Sequence, residues 1–152
     1  MSNGASLESM ATEPEPIIAL WRYLENERNY PGYHLTADSS GSQLLRDQIS
    51  SMLNRQTASV EIALAPPTQP VLEVPNNRRG QARCVFFSIL RLQRSQRENE
   101  FKITENAGAC QLLASLDFLA QIRAGVENIS HGHGDYSIGA EREQLWFWWF
   151  PS

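Results

Sequence analysis

The chain contains only two cysteines, Cys84 and Cys110, among 152 residues. Neither stands in a Cys-x-x-Cys pattern or beside a histidine, so nothing supports a disulfide framework. The two thiols read as small buried hydrophobes. No run of about 18 apolar residues occurs, so no segment has the length and character of a membrane-spanning helix. The opening stretch MSNGASLESMATEPEP has no lysine, no arginine and no long apolar block. It therefore lacks the charged start and apolar middle of a signal peptide. Residues 1–15 read as a flexible leader ahead of a single domain over 16–152. There is no Gly-x-x-x-x-Gly-Lys phosphate loop and no Gly-x-Ser-x-Gly nucleophile elbow. No internal repeat recurs at a fixed period.

What is present fits a globular protein. The chain is 41% hydrophobic and 20% charged, with a formal net charge of −4. At this length roughly 70% of the unfolded surface can be buried, enough for a real core. Charge is unevenly placed. Residues 76–102 hold Arg78, Arg79, Arg83, Arg91, Arg94, Arg97 and Lys102 against Glu98 and Glu100. The rest of the chain is strongly acidic. An acidic body disfavours nucleic acid, which needs a continuous cationic footprint.

The spacing of Ile17, Leu20, Trp21 and Leu24 predicts a first helix, entered at Pro16 and stopped by Pro31 and Gly32. Tyr30–Gly41 reads as a loop. Leu45, Ile49, Met52 and Leu53 form the stripe of a second helix, capped by Ser40 or Ser42. Val60, Ile62 and Leu64 alternate as a half-buried strand. Val71–Val74, between prolines, reads as an edge strand. Arg83–Gln93 reads as a central strand apolar on both faces, and Phe101–Thr104 as its hairpin partner. A long helix is predicted over Ala107–Glu127. Tyr136–Ile138 and Leu145–Phe150 close the chain as a hairpin. The expected fold is α+β: an antiparallel or mixed sheet of five to six strands, two N-terminal helices and one long central helix packed on it.

Two local patterns carry possible chemistry. His131-Gly-His133-Gly-Asp135 places imidazole and carboxylate ligands between glycines, which let side chains converge on one ion. Over those five residues the spacing resembles the His-x-His-x-Asp element of metallo-β-lactamase-type hydrolases. The further histidines of that pattern are missing, since His34 is the only other one. The family's activity is therefore not carried over. The second pattern is the terminal run Leu145-Trp-Phe-Trp-Trp-Phe150, which holds three of the four tryptophans. Its alternation puts Trp146, Trp148 and Phe150 on one face, either as core or as an open wall for a partner or ligand.

With no cofactor fingerprint and no evident nucleophile, the reading leans against an enzyme. The expectation is a small acidic cytoplasmic binding protein that needs no cofactor. Its partner is another protein, with an immunity-type inhibitor of a bacterial toxin as the specific version. Contact residues would be His34, Tyr33, Tyr136, Trp146, Trp148, Arg78 and Arg79, and a homodimer is also compatible. The alternatives are a metal-dependent hydrolase using His131, His133 and Asp135, and a small-ligand sensor with an aromatic pocket. A membrane partner is not expected.

Overall fold

A computed structural model of the chain describes residues 15–24, 31–75, 83–132, 136–140 and 143–151. Of the expected leader, only Glu15 falls within the described residues. Among the described residues, nine strands and three helices make an α+β fold, and no helix among them is long and apolar enough to cross a membrane.

The first element among the described residues is a strand, not the predicted helix. In β1 (Ile18–Tyr23), Ile18 and Leu20 alternate with Ala19, Trp21 and Tyr23, and none of these five is more than 2% exposed. A six-residue run buried on both faces suits a central strand, and that pattern overrides the helical spacing that coexists with it. The predicted loop likewise contains β2 (Tyr33–Ala37), antiparallel to β1. So among the described residues only one of the two expected N-terminal helices forms. This is α1 (Ser39–Leu53), which buries Leu45, Ile49 and Met52. Asp38 caps it, its carboxylate accepting from the Gly41 N–H at 2.7 Å and the Ile17 N–H at 3.0 Å. Such a cap contributes about 0.5–2 kcal/mol.

β3 (Ser59–Ala63) follows as predicted. The expected edge strand at Val71–Val74 is instead the short helix α2 (Gln69–Glu73), with Pro70 in its first turn, where a missing N–H costs nothing. The expected single strand Arg83–Gln93 breaks into β4 (Cys84–Phe86) and β5 (Ile89–Arg94). The break is a crossing between sheets. Phe87 donates its N–H to Leu20 of β1, while Ser88 donates to Gly108, in a turn of the other sheet.

β6 (Phe101–Asn106) pairs not with β5 but with β7 (Ala109–Ala114). The Ala107–Gly108 turn between them holds positive φ at both residues (50° and 84°), the geometry of a tight two-residue hairpin. β7 occupies the first third of the predicted long helix. Helix α3 (Leu116–Ser130) begins only after Ser115, whose hydroxyl caps it. β8 (Tyr136–Ile138) and β9 (Leu145–Phe147) form the predicted hairpin.

One sheet is expected and there are two. The first has the order β4-β1-β2-β9-β8, the second β3-β5-β7-β6. One core cluster spans both sheets and both long helices, from Leu20 and Leu35 through Ile49 to Leu92, Leu112, Ile122 and Phe147.

The two sheets are related. β1, β2, α1, β3 and β5 correspond in turn to β6, β7, α3, β8 and β9. Under that exchange the order β8-β9-β2-β1 becomes β3-β5-β7-β6, with every parallel and antiparallel pairing preserved. One interval along the chain separates Ala37 from Ala114, cap Asp38 from cap Ser115, and buried Leu45, Ile49 and Met52 from buried Ile122, Val126 and Ile129. Both helices are 15 residues long. The fold is thus a repeated ββαββ unit, interlaced so that each sheet takes two of the repeat's strands from each half, with β4 added at the edge of the first sheet. No repeat is visible in the sequence because burial and capping are preserved rather than residue identity. The halves differ in one connection. Between β8 and β9 only residues 139–144 intervene; between β5 and its partner β3 it is long and carries α2 and β4.

Candidate functional site

Strand register lines up one row of side chains across the outer face of the five-stranded sheet: Phe86, Trp21, His34, Trp146 and Ser137. His34 sits at its centre, fully buried. Trp21 lies almost parallel to it at 5.7 Å, Trp146 at 6.4 Å, and Tyr23 meets it edge-on at 4.9 Å. Trp148, one row along, donates its indole N–H to His34 Nδ1 at 3.0 Å. An acceptor at Nδ1 sets the neutral tautomer, with the ring proton on Nε2. The Trp146 indole N–H is likewise satisfied, by the Pro31 carbonyl at 2.9 Å.

Trp21 differs. Its side chain is fully buried, and its Nε1–H has no acceptor among the described residues. A buried donor left unmatched costs about 1–3 kcal/mol. Trp21 belongs to a small satellite cluster with Ala19, Tyr23 and Val71, apart from the main core. Val71 comes from α2, which lies over this face and is tied down by the Tyr23 hydroxyl donating to the Leu72 carbonyl at 2.7 Å. At its β4 end the row opens to solvent, with Phe86 48% exposed; beyond Trp148, Trp149 is 40% exposed.

The corresponding row of the other sheet is Thr104, Gln111, Arg91 and Glu61. It is polar throughout, and Arg91 pairs with Glu61 at 2.7 Å. The same scaffold therefore carries a polar row on one sheet and an aromatic row on its counterpart.

The predicted site residues divide. His34, Trp146 and Trp148 come together. Tyr33 and Tyr136 lie on the opposite face of the same sheet, Tyr136 against Phe147. His131 is the exposed C-cap of α3, 3.9 Å from Glu127. His133, Asp135, Arg78 and Arg79 lie outside the described residues, and no metal-ligating group of three or more is gathered among the described ones. Trp21 and Tyr23 escape the sequence reading because the helical spacing masks their alternation with Leu20 and Arg22.

Other reactive groups are occupied structurally. Burial pushes the Cys110 thiol up to about 12, with the Glu105 charge adding to it, and burial also raises Cys84. Thiols so shifted are poor nucleophiles. Burial raises the Glu105 carboxyl, but hydrogen bonds from Arg22 and Tyr33 and the Arg22 charge outweigh it and hold it below its ordinary range. A cleft of about 320 Å³ opens at the N-terminus of α3, where Arg55 and Arg97 face Glu98 and Asp117. No family model, curated protein or solved structure matches the chain.

Proposed function

We propose that the chain is a small, acidic, non-catalytic binding protein that recognises another protein through the rim of its aromatic sheet face. The observation that carries this reading is the contrast between the two rows. The scaffold accepts a polar row facing water, so the aromatic row is not required by the fold. Its open end, Phe86, together with Trp149, gives the large exposed apolar side chains that interfaces favour. The thiols and Glu105, held by burial and by Arg22 and Tyr33, fit a protein that binds rather than transforms.

The specific version is a cytoplasmic immunity-type inhibitor. A net charge of −4 complements a basic toxin such as a nuclease, and complementary charge speeds encounter and selects the partner. The test is co-expression of the tagged chain with the products of its neighbouring genes, followed by native mass measurement. The expected result is a one-to-one complex with one of them. Phe86→Asp or Trp149→Ser should weaken it about tenfold or more, a loss of roughly 1.4 kcal/mol or greater. No complex with any neighbour, or one indifferent to both substitutions, sinks the reading.

A further inference from the structure

The rim of the aromatic row is exposed, but its middle is covered, and the covered part holds a separate feature. We propose that the stretch of the row beneath α2 is a binding site for a flat, uncharged small molecule bearing one hydrogen-bond acceptor, with that acceptor meeting Trp21 Nε1.

Three observations converge on this ligand class. The first is the indole N–H of Trp21, fully buried and without an acceptor, beside Trp146 and Trp148, whose indole N–H groups both have one. A ligand oxygen supplies what the protein does not. The second is shape. Trp21 and Trp146 stack on His34 at interplanar angles of 24° and 10°, so the three rings stand in near-parallel planes along the row. A planar π-system adds to such a set in the offset-stacked or edge-to-face manner aromatic rings favour. The row from Phe86 to Ser137 contains no charged side chain, so an ionised ligand would find no counter-charge in it.

The third is the cover. α2 is five residues long, and its N-cap Thr68 makes no side-chain capping bond. Among the described residues, Val71 and Leu72 pack it on the satellite cluster and the Tyr23–Leu72 hydrogen bond ties it down. Of its five residues only Val71 is buried, and a segment so exposed opens at lower free energy than the main core. The other half of the repeat has neither this insertion nor an aromatic row. The strap and the surface beneath it therefore belong together as features the scaffold itself does not need.

This site is distinct from the rim proposed for a protein partner. It is read on the isolated chain, so either idea can fail without the other. The test is a titration of the full chain, labelled at tryptophan, with coumarin, a flat bicycle with a carbonyl acceptor. Naphthalene, of similar shape without an acceptor, is the control. The Trp21 indole proton signal is expected to move downfield and saturate with coumarin, while naphthalene binds about tenfold more weakly, as loss of one hydrogen bond to a buried donor implies. Trp21→Phe should erase the preference for coumarin. Tyr23→Phe keeps the ring but removes the strap's hydrogen bond, so coumarin should bind several-fold more tightly. The proposal is overturned by a Trp21 signal that stays fixed up to millimolar coumarin, or by equal binding of both probes. It is equally overturned by a Tyr23→Phe protein with unchanged affinity.

Discussion

Tyr33 of β2 donates its phenolic hydrogen to Glu105 of β6 at 2.6 Å, so a side chain of one sheet is anchored on the other. Arg22 of β1 grips the same carboxylate with two N–H groups. The two sheets are thus clasped through one acidic side chain at the edge of the core.

That clasp predicts a specific pH dependence. The Glu105 carboxyl is held below its ordinary value. It therefore contributes stability that is fully present above the unfolded value, about 4.3, and is lost as pH falls through the lower folded value. Tyr33 works in the opposite direction. Burial first, and then Glu105, raise its phenol above the ordinary value. Its contribution is present below about pH 10 and is lost as pH rises further. Glu105→Gln should lower stability at neutral pH and flatten the difference from the parent below about pH 4. Tyr33→Phe should reduce the alkaline slope, leaving the part due to the raised Cys110 and Cys84 thiols, and should shrink the acid slope to the part that Arg22 maintains on Glu105. The pair is partly exposed and screened by solvent, so the neutral-pH loss should be about 1 kcal/mol or less. Urea unfolding at a series of pH values reads these effects, and parallel curves for parent and Glu105→Gln across the acid range would refute the clasp.

Gly125 of α3 gives a second prediction, one in which two effects compete. A Cβ built there would come within 2.7 Å of the Phe147 ring. Alanine improves a helix over glycine by about 0.5–1 kcal/mol. Overpacking a filled core costs about 1–3 kcal/mol, and Phe147 is fully buried with little room to yield. The steric cost should win. Gly125→Ala is expected to lower the urea midpoint, whereas a raised midpoint would show that α3 does not press on β9 so closely.

Which parts of this were legible follows from the range of each interaction. α1 was readable because Leu45, Ile49 and Met52 lie on one stripe and nothing competes with it. β3 and the β8–β9 hairpin were readable from short-range alternation. β7 was not, because Leu112 falls in helical step with Leu116 and Leu119 and so extends the apparent helix backwards over a strand. α2 was hidden by its prolines, which fit an edge strand as well as a first helical turn. The site was visible only in pieces. His34 and Trp148 each stand out in the sequence, but they are 114 residues apart and meet only because β2 and β9 pair in parallel. Trp21 was lost with β1. The repeat was invisible because its two copies share burial and cap positions, not residue types.

The interlaced repeat yields a last prediction. Each sheet joins the two halves along a parallel pair, β2 with β9 in one and β5 with β7 in the other. The covalent link between the halves is the exposed β5–β6 connection, where Asn99 sits at φ 61°. Neither half can close a sheet alone, because each supplies only one side of both parallel pairs. A chain broken after Glu98 should therefore yield two fragments that are unstructured apart and fold on mixing. Ordering two chains instead of one costs several kcal/mol, within a range of about 4–15 kcal/mol. The reassembled protein should consequently be less stable than the intact chain, and its melting temperature should rise with concentration, as mass action requires. Circular dichroism of the fragments, separately and mixed, decides the matter. A fragment that folds alone, or a mixture that stays unfolded at high micromolar concentration, would show that the halves are not interlaced as the strand orders indicate.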